Sequence, residues 1–88
     1  MRAFVLGNYM HACFMHVDRL PCAGESLAAR RVDWEHGGKG LNLGLGLHRL
    51  GAQVRMIMAV GADLPGVAVR QALVAEGMSD AHFLTLGD

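Results

Sequence analysis

Residues 37–51 read Gly37-Gly38-Lys39-Gly40-Leu41-Asn42-Leu43-Gly44-Leu45-Gly46-Leu47-His48-Arg49-Leu50-Gly51, and this stretch decides the architecture. The glycine-rich opening is a turn. Leu41 to Leu50 is apolar nearly all round, with Leu43, Leu47 and Leu50 at helical spacing, which predicts a helix. Gly51 stands where a C′ residue belongs. A helix apolar on most sides is a buried helix. Gly44 and Gly46 inside it each cost about 1 kcal/mol relative to Ala. The expectation is that something, such as a neighbouring strand, packs very close at these glycines.

Working outward, Val54 to Val60 is a short apolar run closed by Gly61, a buried strand. Asp63 is a suitable N-cap and Pro65 is tolerated in a first turn. Leu64 to Glu76 then predicts an amphipathic helix, with Val69, Ala72 and Leu73 on one side and Arg70, Gln71 and Glu76 on the other, ended by Gly77. Ala81 to Leu86 predicts a further strand. On the N-terminal side, Ala3 to Leu6 is a buried strand ended by Gly7-Asn8. Tyr9 to Val17 and Ser26 to Trp34 read as two extended segments, and Arg30, Arg31 and Asp33 give the second a wet face. Together they predict a polar-faced hairpin or flap over about residues 9–36. Strand, flap, helix, strand, helix, strand is an α/β order with a parallel sheet.

The chain has 88 residues, of which 52% are hydrophobic and 18% charged, with a formal net charge of +0. Such a domain buries only about 60% of the surface its unfolded chain exposes, so the parallel sheet is expected to be incomplete and to want further strands. The composition argues against disorder. The neutral balance gives no footing for nucleic acid. Two cysteines, Cys13 and Cys22, cannot make a disulfide framework. Met1-Arg2-Ala3 leads straight into a strand, so no signal peptide is expected, and no apolar run approaches the ~18 residues of a membrane span. No membrane partner and a cytoplasmic setting follow as expectations.

The glycine-lysine turn is the sharpest chemical feature. Placed before a helix, it leaves backbone N–H groups free at the helix N-terminus, where they bond ligand oxygens and the dipole favours negative charge. Lys39 adds a donor, and Asn42, one turn in, both donates and accepts, as a sugar hydroxyl requires. The alternative is a turn kept only for its backbone angles, and spacing alone does not decide between them. A P-loop would need Gly where Asp33 stands and Ser or Thr where Gly40 stands. The dinucleotide fingerprint should follow the first strand directly, whereas these glycines follow a long flap. His11, Cys13 and His16 resemble a metal cluster, but on a strand His16 points away from the other two. No metal site is therefore assigned. His36, His48 and His82 read as surface or satisfied residues, and Met10, Met15, Met56, Met58 and Met78 as packing. Asp18, Asp33, Asp63, Asp80 and Asp88 read as turn or cap residues, which leaves no catalytic base in the chain.

Several blocks occur in a fixed order: Val5-Leu6-Gly7, Val17-Asp18-Arg19-Leu20-Pro21, Gly24-Glu25, Gly37-Gly38-Lys39-Gly40-x-Asn42, Arg49-Leu50-Gly51-Ala52 and Val60-Gly61-x-Asp63-x-x-Gly66. The ordered set resembles the opening of ribokinase (PfkB) family sugar kinases over nearly the whole chain. The resemblance implies the N-terminal part of a Rossmann-like α/β ribokinase fold with a small β lid, built partly from the flap. It implies transfer of the γ-phosphoryl group of ATP, with Mg²⁺, to a sugar hydroxyl. Gly38, Lys39 and Asn42 match residues that hold the sugar, and in some members lid strands pair two subunits into a homodimer. The family usually carries an Asn and an Asp after the first strand, where this chain has Met10 and Ala12. That departure puts a ribose-like substrate in doubt and makes Asn8 the candidate replacement contact. The family's anion-hole glycines, catalytic Asp and ATP site have no counterpart here. The resemblance thus implies an N-terminal fragment, inactive alone, that binds neither ATP nor Mg²⁺ by itself. Two other readings stand beside it: a non-catalytic truncated stub acting as an oligomerisation or interaction module, and a nucleotide-binding α/β domain of another class.

Overall fold

The computed structural model describes residues 1–87. β1 (Arg2–Leu6) is followed by β2 (Met10–His16), β3 (Arg31–Gly37), α1 (Lys39–Arg49), β4 (Gln53–Gly61), α2 (Leu64–Ala75) and β5 (Phe83–Leu86). β1, β4 and β5 form a three-stranded parallel sheet in the order β1-β4-β5, while β2 and β3 form a separate two-stranded antiparallel sheet. An incomplete parallel sheet with a hairpin inserted after its first strand is the expected α/β arrangement.

Alternation along β4 shows why the layers form. Val54, Met56, Met58 and Val60 are buried, and they meet Val5, Leu41, Val69, Leu73, Met78 and Phe83 in one core. Both helices pack on this face. At their C-terminal ends His48 Nε2 donates to the Glu76 carbonyl at 2.7 Å, and the Arg49 guanidinium reaches the Glu76 carboxylate at 2.6 Å. The opposite face carries Phe4, Leu6, Leu84 and Leu86, all exposed. A strand apolar on both sides is the pattern of a parallel sheet meant to be covered twice.

α1 begins two residues earlier than the periodicity suggests, because Gly38 serves as its N-cap. It is not buried all round: only Leu41 and Gly44 are buried, while Leu43 is 57% and Leu50 85% exposed. The physical reason is that a three-stranded sheet offers the helix one side only. Gly44 is the close approach anticipated, since a Cβ there would lie 2.8 Å from Met56 Sδ, but Gly46 faces open space. Ala72, expected on the packed side of α2, is exposed beside buried Leu73 and Val69.

Asp63 caps α2 as expected, accepting from the Gly66 N–H at 2.9 Å, with Pro65 in the first turn. A Cβ on Gly66 would collide with the Gly61 carbonyl oxygen, which accounts for the glycine pair in Gly61-x-Asp63-x-x-Gly66. Gly51 and Gly77 both hold positive φ after the two helices, as C′ residues do.

The second flap segment lies later than expected, at Arg31–Gly37 rather than Ser26–Trp34, because cross-strand pairing sets it: Met10 pairs with Gly37 and His16 with Arg31. Asp33 is therefore a strand residue and not a turn residue. It accepts from His16 Nε2 at 2.8 Å and Arg31 Nε at 3.0 Å. Asp18 instead pairs with Arg30 at 2.8 Å and Asp80 with Arg70 at 3.1 Å. Asp88 lies outside the described residues. One face of the hairpin is polar on its β3 side, but the other carries His11, Cys13, Met15, Val32, Trp34 and His36, with the His11 ring stacked on Trp34 at 4.8 Å. At the hairpin's far end Arg19 clasps Glu25 through two bonds of 2.6 and 2.7 Å, and the Cys22 N–H adds a third. These contacts hold the Glu25 carboxyl down to about 2.

Candidate functional site

Gly7 ends β1 and Gly40 lies in the first turn of α1, and the two meet backbone to backbone. A Cβ on either would lie 2.6 Å from the other's Cα. Only glycine on both sides lets the helix start seat directly on the end of the strand. The Gly7 N–H donates to the Ile57 carbonyl, extending the sheet by one residue before the chain turns away. This contact brings the α1 N-terminus to the carboxyl end of the parallel strands, where open α/β sheets bind ligands.

At that point Gly38 adopts φ 103, offers no side-chain cap, and is followed by no acidic residue in the first turn. The Asn42 N–H is the first to find an intrahelical partner, the Gly38 carbonyl at 3.0 Å. The N–H groups of Lys39, Gly40 and Leu41 are the orphan donors of the helix start. Asn8 closes one side of the cradle, because a Cβ on Gly38 would lie 2.6 Å from the Asn8 carbonyl oxygen. The Asn8 and Lys39 side chains are both exposed. Such a helix start leaves three backbone N–H donors for an oxygen-rich ligand, with the helix dipole adding positive potential.

Of the four residues that the sequence marks as candidates, the structure brings Gly38, Lys39 and Asn8 to one place. Asn42 is one turn along α1, where it borders a shallow groove of about 170 Å³ with His36, Leu45, Arg49 and Glu76. Met10 and Ala12 lie on one face of β2, Met10 directly beyond the cradle.

Sequence reasoning misses Tyr9. It is half-buried against the core, and its Oη is hydrogen-bonded to His36 Nδ1 at 2.7 Å, tying the hairpin root to β3. Burial, and after it the nearby Asp63 carboxylate, push the Tyr9 phenol above its ordinary value. A lone tyrosine in a strand-tolerant run carries no signal for this role. Among the described residues no three His, Cys, Asp or Glu side chains converge where they could hold a metal ion. His11 and Cys13 share one face of the hairpin and His16 lies on the other. The imidazole and thiol groups of His11, Cys13 and His16 are not the oxygen ligands that Mg²⁺ takes. No helix is long and apolar enough to cross a membrane.

Comparison with known proteins bears on the same elements. Residues 2–86 match the model of the pfkB family of carbohydrate kinases. The chain is 35% identical over 82 residues to a ribokinase of Haemophilus influenzae, covering 93% of this chain and 27% of that protein. It is 31% identical over 83 residues to a nucleoside kinase of Methanothermobacter thermautotrophicus, covering 94% of this chain and 27% of that protein. Its fold superposes on the crystal structure of a ribokinase from Cryptococcus neoformans in complex with ADP with a TM-score of 0.86 and 26% identity, over 97% of this chain and 27% of that one. The chain therefore spans about 27% of the length of the curated relatives it matches. With the family model matched over residues 2–86, this chain belongs to the pfkB family of carbohydrate kinases.

Proposed function

We propose that this chain is the N-terminal, acceptor-binding part of an ATP-dependent kinase that phosphorylates a hydroxyl of a sugar or a sugar-containing molecule. Gly38, Lys39, Asn8 and Asn42 hold the acceptor, and the β2–β3 hairpin is its lid. The observation that carries this reading is the uncapped α1 N-terminus at the carboxyl end of β1, seated by the Gly7–Gly40 contact. In the reaction the acceptor hydroxyl oxygen forms a bond to the γ-phosphorus as the bond to ADP breaks, and the hydroxyl proton leaves to a base. Positioning and charge stabilisation dominate such transfers. The base, ATP and Mg²⁺ are assigned to a part of the enzyme outside residues 1–88, so the chain alone is expected to be inactive. The test is ATP-dependent phosphorylation by the full-length protein over a panel of sugars and nucleosides, with Lys39→Ala beside the parent. Turnover of at least one acceptor that Lys39→Ala weakens supports the reading, whereas turnover indifferent to Lys39→Ala removes the cradle from it. Asn8→Ala with unchanged acceptor affinity would remove Asn8.

A second reading rests on the hairpin face that carries His11 and Trp34, where Met15 is 65% and Trp34 60% exposed. A strand surface with exposed apolar and aromatic side chains is suited to pairing with a second copy. In this reading the chain is a non-catalytic stub that self-associates through the lid strands; within the first reading the same surface makes a homodimer. Sedimentation of the protein and of Trp34→Lys separates them from a monomer: association that the substitution abolishes supports the lid interface.

A further inference from the structure

The register of the hairpin sets His11 directly opposite His36. Residues facing each other across an antiparallel pair hold their Cβ atoms about 4.5–5.5 Å apart on one face. The two imidazole rings lie 6.3 Å apart, centre to centre, and both side chains are exposed. The sequence groups His11 with Cys13 and His16 because the three are close in the chain. Strand pairing replaces that grouping and gives His11 a companion from the other strand.

Each ring is held on one side and free on another. His36 Nδ1 is hydrogen-bonded to Tyr9 Oη at 2.7 Å, and Tyr9 is packed against the core. That bond orients the ring and leaves Nε2 without a hydrogen-bond partner among the described residues. His11 lies against Trp34, with ring centres 4.8 Å apart and planes 26° apart. Among the described residues neither His11 nitrogen is hydrogen-bonded, unlike those of His16, His36 and His48. Arg49 borders the same groove as His36, but its charge is answered by Glu76 at 2.6 Å.

Two neutral imidazoles on facing strands are a donor set for a divalent transition metal such as Zn²⁺, Ni²⁺ or Cu²⁺. Metal–nitrogen bonds are about 2.0–2.1 Å long, and two of them, with the two half-rings, span a separation of the observed size. The second nitrogen of a metal-bound histidine ordinarily donates to an oxygen, and Tyr9 Oη is placed to accept from His36 Nδ1. We infer that His11 and His36 form a transition-metal site on the hairpin. Among the described residues no third His, Cys, Asp or Glu converges with them, so water completes the coordination. A bound ion ties β2 to β3 one residue pair from the hairpin root, where Met10 pairs with Gly37, and stiffens the strand pair beside Gly38. The inference does not depend on the kinase reading.

The experiment titrates metal-free full-length protein, without nucleotide, with Zn²⁺ and with Cu²⁺ in a calorimeter. The variants are His11→Ala, His36→Ala and, as a control, His82→Ala. All three side chains are exposed, and circular dichroism checks that each variant folds. The expected result is a binding step, tighter for Cu²⁺ than for Zn²⁺, that His11→Ala and His36→Ala each weaken about tenfold or more. Loss of an outer contact alone costs about 10–100-fold in metal affinity, and loss of a ligand costs at least as much. His82→Ala should leave the step unchanged. Cu²⁺ should also quench the fluorescence of Trp34, stacked on His11, with the same midpoint, and Trp34→Phe should remove that part of the signal. Absence of any step overturns the inference. So does a step that survives either His11→Ala or His36→Ala, one that His82→Ala weakens equally, or heat without quenching of Trp34.

Discussion

Helix α1 contains three glycines, Gly40, Gly44 and Gly46, in three different surroundings, and alanine at each should act differently. Alanine in a helix interior gains about 1 kcal/mol over glycine. At Gly46 nothing lies within 4 Å of the new Cβ, so that gain is expected whole, about 0.5–1 kcal/mol of added stability. At Gly44 the Cβ meets Met56 Sδ at 2.8 Å and Cε at 2.9 Å. Met56 is flexible but buried, and it yields only by disturbing the core. Overpacking costs about 1–3 kcal/mol, which leaves a net loss of about 0–2 after the helix gain. At Gly40 the obstacles are Gly7 Cα at 2.6 Å and Asn8 N at 3.0 Å, both backbone. No side chain can swing aside, and α1 must lift off β1 at a cost of about 3 kcal/mol or more, the upper end of that range. Urea unfolding followed by circular dichroism gives the three values. The order predicted is Gly46→Ala above the parent, Gly44→Ala at or below it, and Gly40→Ala lowest. If Gly40→Ala is as stable as the parent, or Gly46→Ala as damaged as Gly40→Ala, the seating of the helix start on the strand end is misread.

Other outcomes follow from single contacts. Asp63→Ala removes the cap on the Gly66 N–H and should cost about 1 kcal/mol in urea unfolding. The same substitution should bring the Tyr9 phenol down toward its ordinary value in a spectrophotometric titration, because the Asp63 charge is one cause of its elevation. Glu25 is held low mainly by Arg19 and then by the Cys22 N–H. A depressed carboxyl stabilises at pH above its ordinary value and loses that contribution as pH falls through the depressed one. The Arg19–Glu25 clasp should therefore persist at pH 4 and open only as pH nears 2, and Arg19→Gln should return the Glu25 titration, read by carbon NMR, toward the ordinary range. Tyr9→Phe loses the bond to His36 and should cost about 0.5–1.5 kcal/mol, with a shift of the His36 ring resonances as its signature.

The parts of the fold legible in the sequence are those set by local rules. The order of strands and helices follows from apolar runs and their punctuation, and Asp63, Gly51 and Gly77 mark helix ends by cap chemistry alone. The close packing at Gly44 is legible because a glycine inside a helix demands a reason, but the same argument fails at Gly46, which meets nothing. Which glycine faces the strand depends on the rotation of α1 over the sheet, a tertiary fact. The start of β3 at Arg31 is equally non-local, since pairing with β2 sets it. For the site, the glycine-lysine turn announces free donors, and the structure adds what seats it: Gly7, which sequence reading takes as a strand end and not as half of a backbone contact. Asn8 is marked by its place after β1, whereas Tyr9 beside it, locked to His36, leaves no trace in spacing or composition.

The central claim is that the α1 N-terminus, with Asn8 and Lys39, holds a hydroxylated ligand. Amide NMR of the protein during titration with ribose and with inosine tests it most directly. The account predicts saturable shifts centred on the amides of Asn8, Gly38, Lys39, Gly40 and Leu41, lost in Gly40→Ala. Saturable binding that leaves these amides unmoved and shifts those around α2 and β5 instead would contradict it.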